Sequence, residues 1–217
     1  MAMAARPVES ASQCVVLQGV SWETYERLLA DFRDSHAVHL TYDQGALEIL
    51  VPSAKHEEPN RALALLIEML ALALDIDIRN LGSTTFKRDD LSRGFEPDSC
   101  FYIQQAAQIR GKDDIDLAVD PPPDLVIEVD ITHPSLDKLP LYAAVGVTEV
   151  WRYDGASVTI HTLAQEAYIA SATSQVLPGV TSAILSQFIA ESRQLRRPDW
   201  LRRVREWAQG HAASDAS

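Results

Sequence analysis

The chain of 217 residues is long enough for one domain with short appendages, and its 47% hydrophobic content supports a sizeable core. The net charge of −12 counts against a protein that grips nucleic acid mainly by neutralising phosphates, although a bound divalent metal can invert the local field. Cys14 and Cys100 form no disulfide framework, and neither a signal peptide nor a membrane-spanning apolar run is present. The expected location is therefore the cytoplasm, with no membrane partner.

The first half of the chain combines strand patterns with two amphipathic helices. Ser21 is a suitable N-cap for the first helix, and Asp43-Gln44-Gly45 is a turn between two apolar segments. The predicted elements, in chain order, are a disordered segment at 1–13, a strand at 14–17, a helix at 22–33, a hairpin at 38–51, a helix at 56–74, and strands near 76–81 and 84–88.

The second half predicts the centre of an α/β fold. The segment 124–130 is apolar at nearly every position, which is typical of a central strand covered on both faces. The predicted elements are a strand at 98–103, an irregular insert at 104–123, the strand at 124–130, a helix from Pro134-Ser135 to Val145, strands at 149–153, 157–163 and 167–172, and a helix at 183–195. This order predicts a mixed sheet flanked by helices. The main domain is expected at 14–195, followed by a C-terminal amphipathic segment and tail at 196–217.

Two acidic residues on consecutive predicted strands are the most informative feature of the sequence. Asp98 stands at the head of one apolar run, and Glu128 stands inside the more apolar run at 124–130. A carboxylate among Val, Ile and Leu residues is costly to bury unless it is paired or holds a metal. Lys138 follows within a helical pattern. Two converging carboxylates and a lysine predict a Mg2+-dependent hydrolase of phosphodiester bonds.

The expected roles follow from the chemistry of Mg2+. This ion prefers a few carboxylates together with water and substrate oxygens, so Asp98 and Glu128 are the predicted ligands. The carbonyl of Val129 is the predicted third protein ligand. Lys138 is expected to polarise the attacking water or to stabilise the charge that develops around phosphorus.

The sequence also leaves plainer interpretations open. They are a turn cap after Pro97 for Asp98, an ion pair with Arg152 for Glu128, and a solvated pair with Asp137 or Asp130 for Lys138. The roles of His56, Glu57 and Asp130 are open as well, because the first two stand at a helix start and the third shares a strand face with Glu128. His39, His133 and His161 are isolated in sequence, and no His/Cys spacing suggests zinc.

A family resemblance joins these pieces. It is carried by Ser53 and His56 before the long helix, Glu96-Pro97-Asp98, Asp124-Leu125-Val126-Ile127-Glu128-Val129, Lys138 with Tyr142, and Gly146-Val147-Thr148-Glu149-Val150-Trp151. The stretch from about 53 to 153 resembles the putative restriction endonuclease family, a bacterial domain of largely unassigned biology within the PD-(D/E)XK nuclease superfamily.

The resemblance implies a restriction-endonuclease-like fold and a DNA endonuclease that uses Mg2+ or Mn2+. It makes Asp98 the first metal ligand and Glu128 the second. The lysine that the wider superfamily places two residues after the glutamate is absent, and Asp130 stands there. Family members take the lysine from the next helix, which here supplies Lys138.

Two further expectations concern partners. Folds of this kind often cut both DNA strands, so a homodimer is expected, with the hairpin at 38–51 or the C-terminal segment as its interface. A competing hypothesis is a non-catalytic partner protein on a nuclease-like fold. A plugged cleft, or a Lys138 turned to solvent, would favour that alternative.

Overall fold

The structure of the chain is a computed structural model that describes residues 12–33, 35, 37–131 and 136–215, with the backbone alone for 212–215. The strands are β1 (Gln13–Leu17), β2 (His39–Asp43), β3 (Ala46–Val51), β4 (Arg79–Gly82), β5 (Phe86–Arg88), β6 (Arg93–Phe95), β7 (Ser99–Tyr102), β8 (Leu125–Val129), β9 (Glu149–Tyr153), β10 (Val158–Ala164) and β11 (Ala167–Ser171). The helices are α1 (Trp22–Asp31), α2 (Ala54–Leu74), α3 (Leu139–Val145), α4 (Ser182–Ser192) and α5 (Arg197–Asp215), with a short 3-10 helix at Asp89–Leu91.

The strands form two sheets. The first has the order β1-β3-β2-β6-β5, and the second has the order β11-β10-β9-β8-β7-β4. Neighbouring strands are antiparallel except for β8 and β9, which run parallel and are joined through α3. A parallel pair needs such a crossover, because a tight turn cannot return the chain in the same direction. The predicted α/β class with a mixed sheet is confirmed.

Strand β8 lies at the centre of the second sheet, and both of its faces are covered. Leu125 and Ile127 belong to a core that also contains side chains of α2, α4 and α5. Val126 points to the other face and belongs to a second core with Leu141 and Tyr142 of α3. Glu128 shares this second face by alternation. The predicted central strand is therefore confirmed, and its one acid points towards α3.

Most elements agree with the predictions, and local signals explain them. The Ser21 side chain accepts the N–H of Thr24 and caps α1. Gln44 and Gly45 have positive φ angles of 47° and 104°, as a tight hairpin turn between β2 and β3 requires. Strand β6 was not predicted, because three residues are too short to show an alternating pattern.

The helix predicted to run from Pro134-Ser135 to Val145 begins later than predicted. Helix α3 begins at Leu139, and residues 136–138 precede it without helical structure. Pro140 sits in the first turn, where proline is favoured because its missing N–H has no helical partner there. Pro134 and Ser135 themselves, like His133 and the segment 1–11, lie outside the described residues. The delayed start leaves Lys138 at the helix N-cap.

The C-terminal amphipathic segment folds as α5 and joins the main core. Trp200, Val204 and Ala208 are fully buried in the core that includes α2. The indole N–H of Trp200 donates a hydrogen bond of 2.8 Å to the carbonyl of Phe188 in α4. The boundary predicted at residue 195 stays a prediction, but α5 packs as a core element. In the described part of the chain, no helix is long and apolar enough to cross a membrane.

Candidate active site

Adjacent strands bring the two predicted metal ligands together. Ser99 of β7 pairs with Ile127 of β8, so the antiparallel register sets Asp98 opposite Glu128. The Oδ2 atom of Asp98 accepts the N–H of Val129 at 2.7 Å. The Asp98 side chain is only 1% exposed. Asp98 therefore reaches across to the end of β8 instead of capping a local turn.

Glu128 is contacted by Lys138, the N-cap residue of α3, and by Tyr142 within that helix. The Nζ atom of Lys138 lies 2.9 Å from Glu128 Oε2, and the hydroxyl of Tyr142 donates to Glu128 Oε1. The Lys138 side chain is 9% exposed. The buried lysine faces the acid and not the solvent, so the structure brings Asp98, Glu128 and Lys138 into one cluster.

Glu48 is a member of the cluster that sequence reasoning missed. It comes from β3 in the other sheet, and its Oε1 atom lies 3.1 Å from Lys138 Nζ. Its Oε2 atom accepts the N–H of Leu136 at 2.7 Å. The available signal was the one that identified Glu128, namely an acid inside an apolar strand. Lys138 thus lies between two carboxylates, one from each sheet, of which Glu48 is 1% exposed and Glu128 is 12% exposed.

Two histidines surround Asp98. His39 Nδ1 lies 3.6 Å from Asp98 Oδ1, and His56 Nε2 lies 3.3 Å from Asp98 Oδ2. Both histidines are buried. His39 looked isolated in sequence, because its neighbour stands on a distant strand. His56, whose role was open, is brought next to the predicted ligand, whereas Glu57 pairs with Arg61 at 3.4 Å along α2.

The charges in this cluster shift one another. Burial raises the pKa of Asp98, but His39, His56, Lys138 and the Val129 N–H outweigh it and hold the pKa below its usual range. For His39, burial lowers the pKa, but the nearby negative charge of Asp98 raises it by more, so the pKa ends above its ordinary value. Asp98 is therefore the stably ionised acid of the pair.

Glu128 and Lys138 shift in the same upward direction for different reasons. Burial first, and then the charge of Asp98, raise the pKa of Glu128 to about 7 despite the opposing attraction of Lys138. For Lys138, burial lowers the pKa, but Glu128, Glu48 and Asp98 together raise it well above its ordinary value. At neutral pH Lys138 is an ammonium ion.

The cluster lies at the wall of an open cavity of about 380 Å³. Glu48, His56, Glu128, Val129 and Lys138 line it, together with Ser12, Cys14, Leu50, Asp130, Ile131, Leu136, Asp137, Leu139, Tyr142, Val150 and Arg152. Arg152 forms an ion pair with Asp130. The ion pair of Glu128 is with Lys138 and not with Arg152, which was the plainer interpretation of the sequence. The cavity gives a substrate access to Glu48, Glu128 and Lys138, whereas Asp98 is 1% exposed and lies behind the lining residues.

Comparison with known proteins places the chain in a family. The family model Uma2, described as "Putative restriction endonuclease", matches residues 22–207. The chain belongs to the Uma2 family. The match includes every member of the charged cluster, and the resemblance seen in the sequence is confirmed.

A solved structure is also similar to the chain. It is the crystal structure of a putative nuclease belonging to DUF820 from Anabaena variabilis ATCC 29413, with 16% sequence identity and a TM-score of 0.47. The similarity covers 69% of this chain and 90% of that chain. No curated protein matches the sequence.

The family implies a divalent metal, and the residues of this Uma2 member fit one in donor type. Asp98 Oδ1 is buried and has no hydrogen-bond partner among the described residues. Carboxylate oxygens are the ligands that Mg2+ prefers, with waters completing its shell. A bound cation would favour the ionised form of Glu128, whose pKa burial and Asp98 raise to about 7. Across the described ranges, no three His, Cys, Asp or Glu residues are grouped to hold a metal, so the protein share is two carboxylates and a carbonyl at most.

The raised pKa of Glu128 predicts that neutralising this acid stabilises the metal-free fold. An acid with a raised folded pKa contributes stability that is full below its ordinary pKa and lost as pH rises through about 7. At about pH 8 with a chelator, we expect Glu128→Gln to have a free energy of unfolding up to about 3 kcal/mol larger than that of wild type. The variant should therefore unfold at a higher temperature. The difference should shrink as the pH falls and vanish only below about pH 4, under the ordinary pKa of a glutamate.

Glu149→Gln is the matched control, because Glu149 is a buried strand acid that accepts hydrogen bonds from Trp151, Ser174 and Gln175. It should destabilise the protein at both pH values. Thermal unfolding followed by circular dichroism measures both variants. A Glu128→Gln variant that is no more stable than wild type at the higher pH would contradict the argument.

Proposed function

We propose that this Uma2 family protein is a Mg2+- or Mn2+-dependent endonuclease that hydrolyses phosphodiester bonds of DNA. The observation that carries the proposal is a cluster of three carboxylates and one ammonium, of which Glu48, Glu128 and Lys138 line an open cavity and Asp98 is buried beside them. Burying so many charges costs folding free energy, so a cluster without a role would be replaced by apolar side chains at little loss. Membership in a family described as "Putative restriction endonuclease" supports the same interpretation.

The proposed metal ligands are the carboxylates of Asp98 and Glu128 and the carbonyl of Val129. When bound, the metal would lower the pKa of a coordinated water and offset charge on the phosphate. In the reaction, the oxygen of water bonds to phosphorus and one phosphorus–oxygen ester bond breaks. The proton of the water is released, and the departing sugar oxygen gains a proton.

Lys138 acts in this scheme as a hydrogen-bond donor and not as a base. The surrounding acids raise its pKa, so it stays protonated at neutral pH and cannot take a proton from water. Its ammonium can orient the water or stabilise the extra negative charge on the phosphate oxygens. Arg152 lines the same cavity with 46% of its side chain exposed, where a guanidinium is suited to a neighbouring phosphate.

The alternative of a non-catalytic partner protein is less well supported. That hypothesis predicted a plugged cleft or a Lys138 turned to solvent. Lys138 instead contacts Glu128 at 2.9 Å, and the cavity beside it has a volume of about 380 Å³. Both observations favour the enzyme.

Cleavage of plasmid DNA tests the proposal. Wild type with Mn2+ or Mg2+ should convert supercoiled plasmid to open or linear forms, and a chelator should stop the reaction. Asp98→Asn, Glu128→Gln and Lys138→Met should each lower the rate by about a hundredfold or more, the usual cost of removing one group that stabilises charge. Lys112→Met is the control, because Lys112 is an exposed lysine paired with Asp120. Cleavage by Asp98→Asn at the wild-type rate would contradict the proposed metal site.

We also propose that the protein acts as a homodimer, because cutting both strands of a duplex calls for two sites. The proposed dimer interface is strand β1, which forms one edge of the first sheet. Val15 and Leu17 on β1 are 53% and 44% exposed, and residues 13–17 carry no charge in a chain of net charge −12. An exposed apolar edge strand is a template for pairing with another strand.

A second copy fits this edge by symmetry. Antiparallel pairing of β1 with itself around Val15 sets Cys14 opposite Val16 and Gln13 opposite Leu17, so no like charges meet. The two-fold axis of such a pair is perpendicular to the sheet. Cys14 lines the active-site cavity, so both cavities would open on the same side, towards one duplex.

Sedimentation of the metal-free protein tests this interface independently of activity. Wild type should be a dimer, and Val15→Lys should be a monomer, because it would place two ammonium groups together at the axis. Val119→Lys, at a position that is 80% exposed, should leave the dimer intact. A monomeric wild type that dimerises only when residues 1–11 are removed would show that the chain covers its own edge, and would overturn the proposal.

A further inference from the structure

Glu48 is a buried acid that is neither a proposed metal ligand nor a proposed catalytic group. Its side chain is 1% exposed, and Leu47 and Ile49 are its neighbours along β3. A carboxylate in such surroundings costs free energy unless it meets a cation or hydrogen-bond donors. Both of its oxygens do meet such groups, and both groups belong to the short segment 136–138 before α3.

The two contacts hold the lysine at both ends. Oε1 of Glu48 lies 3.1 Å from Lys138 Nζ, which fixes the tip of the side chain. Oε2 accepts the N–H of Leu136 at 2.7 Å, which fixes the backbone two residues earlier. A lysine side chain is long and flexible, and an ammonium alone sets no direction. Glu48 therefore supplies orientation that the Lys138 side chain lacks.

Glu128 cannot supply this orientation throughout the proposed reaction. It contacts Lys138 Nζ at 2.9 Å in the metal-free protein, but it is also a proposed metal ligand. A carboxylate that coordinates a divalent cation holds an ammonium less well, because the two positive charges repel each other. Lys138 then needs an anionic partner outside the metal pair, and Glu48 is in contact with it.

We propose that Glu48 is a positioning residue that holds the Lys138 ammonium at the cavity wall when Glu128 is engaged elsewhere. The need for such a residue rests on the proposed function, but the contact itself can be tested without metal or DNA. Glu48 comes from the first sheet and Lys138 from the crossover of the second. The first sheet thus positions the Lys138 ammonium through Glu48, and the second sheet carries Glu128.

Proton–nitrogen NMR of the lysine ammonium groups tests the proposal in the full, metal-free chain. The chain has four lysines, and the Lys138→Met variant assigns the Lys138 signal. We expect a slowly exchanging ammonium in wild type and also in Glu128→Gln, where Glu48 alone remains to hold it. In Glu48→Gln/Glu128→Gln we expect exchange with water at least about tenfold faster, the scale of losing one hydrogen bond between charged groups.

Two results would overturn the proposal. Loss of the slow signal in Glu128→Gln alone would show that Glu48 does not hold the ammonium. Persistence of the slow signal in the double variant would show that neither acid does. Glu149→Gln/Glu128→Gln is the matched control for removal of a second buried acid, and it should keep the signal. If the Gln variant at Glu48 does not fold, Glu48→Asp serves, because its shorter side chain cannot reach both Leu136 and Lys138.

A second arm separates this proposal from the proposed function. With Mg2+ added, wild type should keep the slow Lys138 signal and Glu48→Gln should lose it, because the metal then takes Glu128. If the metal-free arms give the expected results and Mg2+ changes nothing in Glu48→Gln, the metal site at Glu128 fails and the positioning contact stands. In plasmid cleavage, Glu48→Gln should lower kcat and leave KM unchanged, since the contact orients Lys138 without touching DNA.

Discussion

The site depends on one buried ammonium held between acids from two different sheets. Lys138 lies 3.1 Å from Glu48 of β3 and 2.9 Å from Glu128 of β8. A single acid at this depth would be an isolated charge, and a single lysine would be expelled to solvent. The Lys138 ammonium offsets part of the cost of burying both acids and contacts one acid from each sheet, so the two sheets meet at this point.

The same constraint explains the environment of Asp98. Its carboxylate accepts the Val129 N–H and lies near His39 and His56, and it therefore stays ionised although it is buried. Glu128 is the opposite case, because burial and the charge of Asp98 raise its pKa to about 7. Adjacent acids with separated pKa values are typical of functional sites. Their difference suits a pair in which one acid is a permanent anion and the other becomes fully ionised when a cation arrives.

Sequence reasoning found the parts of the site that local pattern encodes. The apolar run around Glu128 predicted a central strand, and an acid in that run was conspicuous. Lys138 was found within the following crossover, although the helix begins later than predicted, at Leu139. His39 was missed because its partner stands far along the chain, whereas Glu48 was missed although it is, like Glu128, an acid inside an apolar strand. Glu48 and Leu136 are 88 residues apart, and only the packing of the two sheets joins them.

Binding of Mn2+ to the metal-free protein, measured by calorimetric titration, is the most direct test of the account. We predict saturable binding to wild type that is lost in Asp98→Asn and in Glu128→Gln, with both variants folded. The Glu149→Gln control should bind as wild type does. No binding to wild type, or binding that both variants retain, would contradict the proposed two-carboxylate metal site and leave the charged cluster as a structural element.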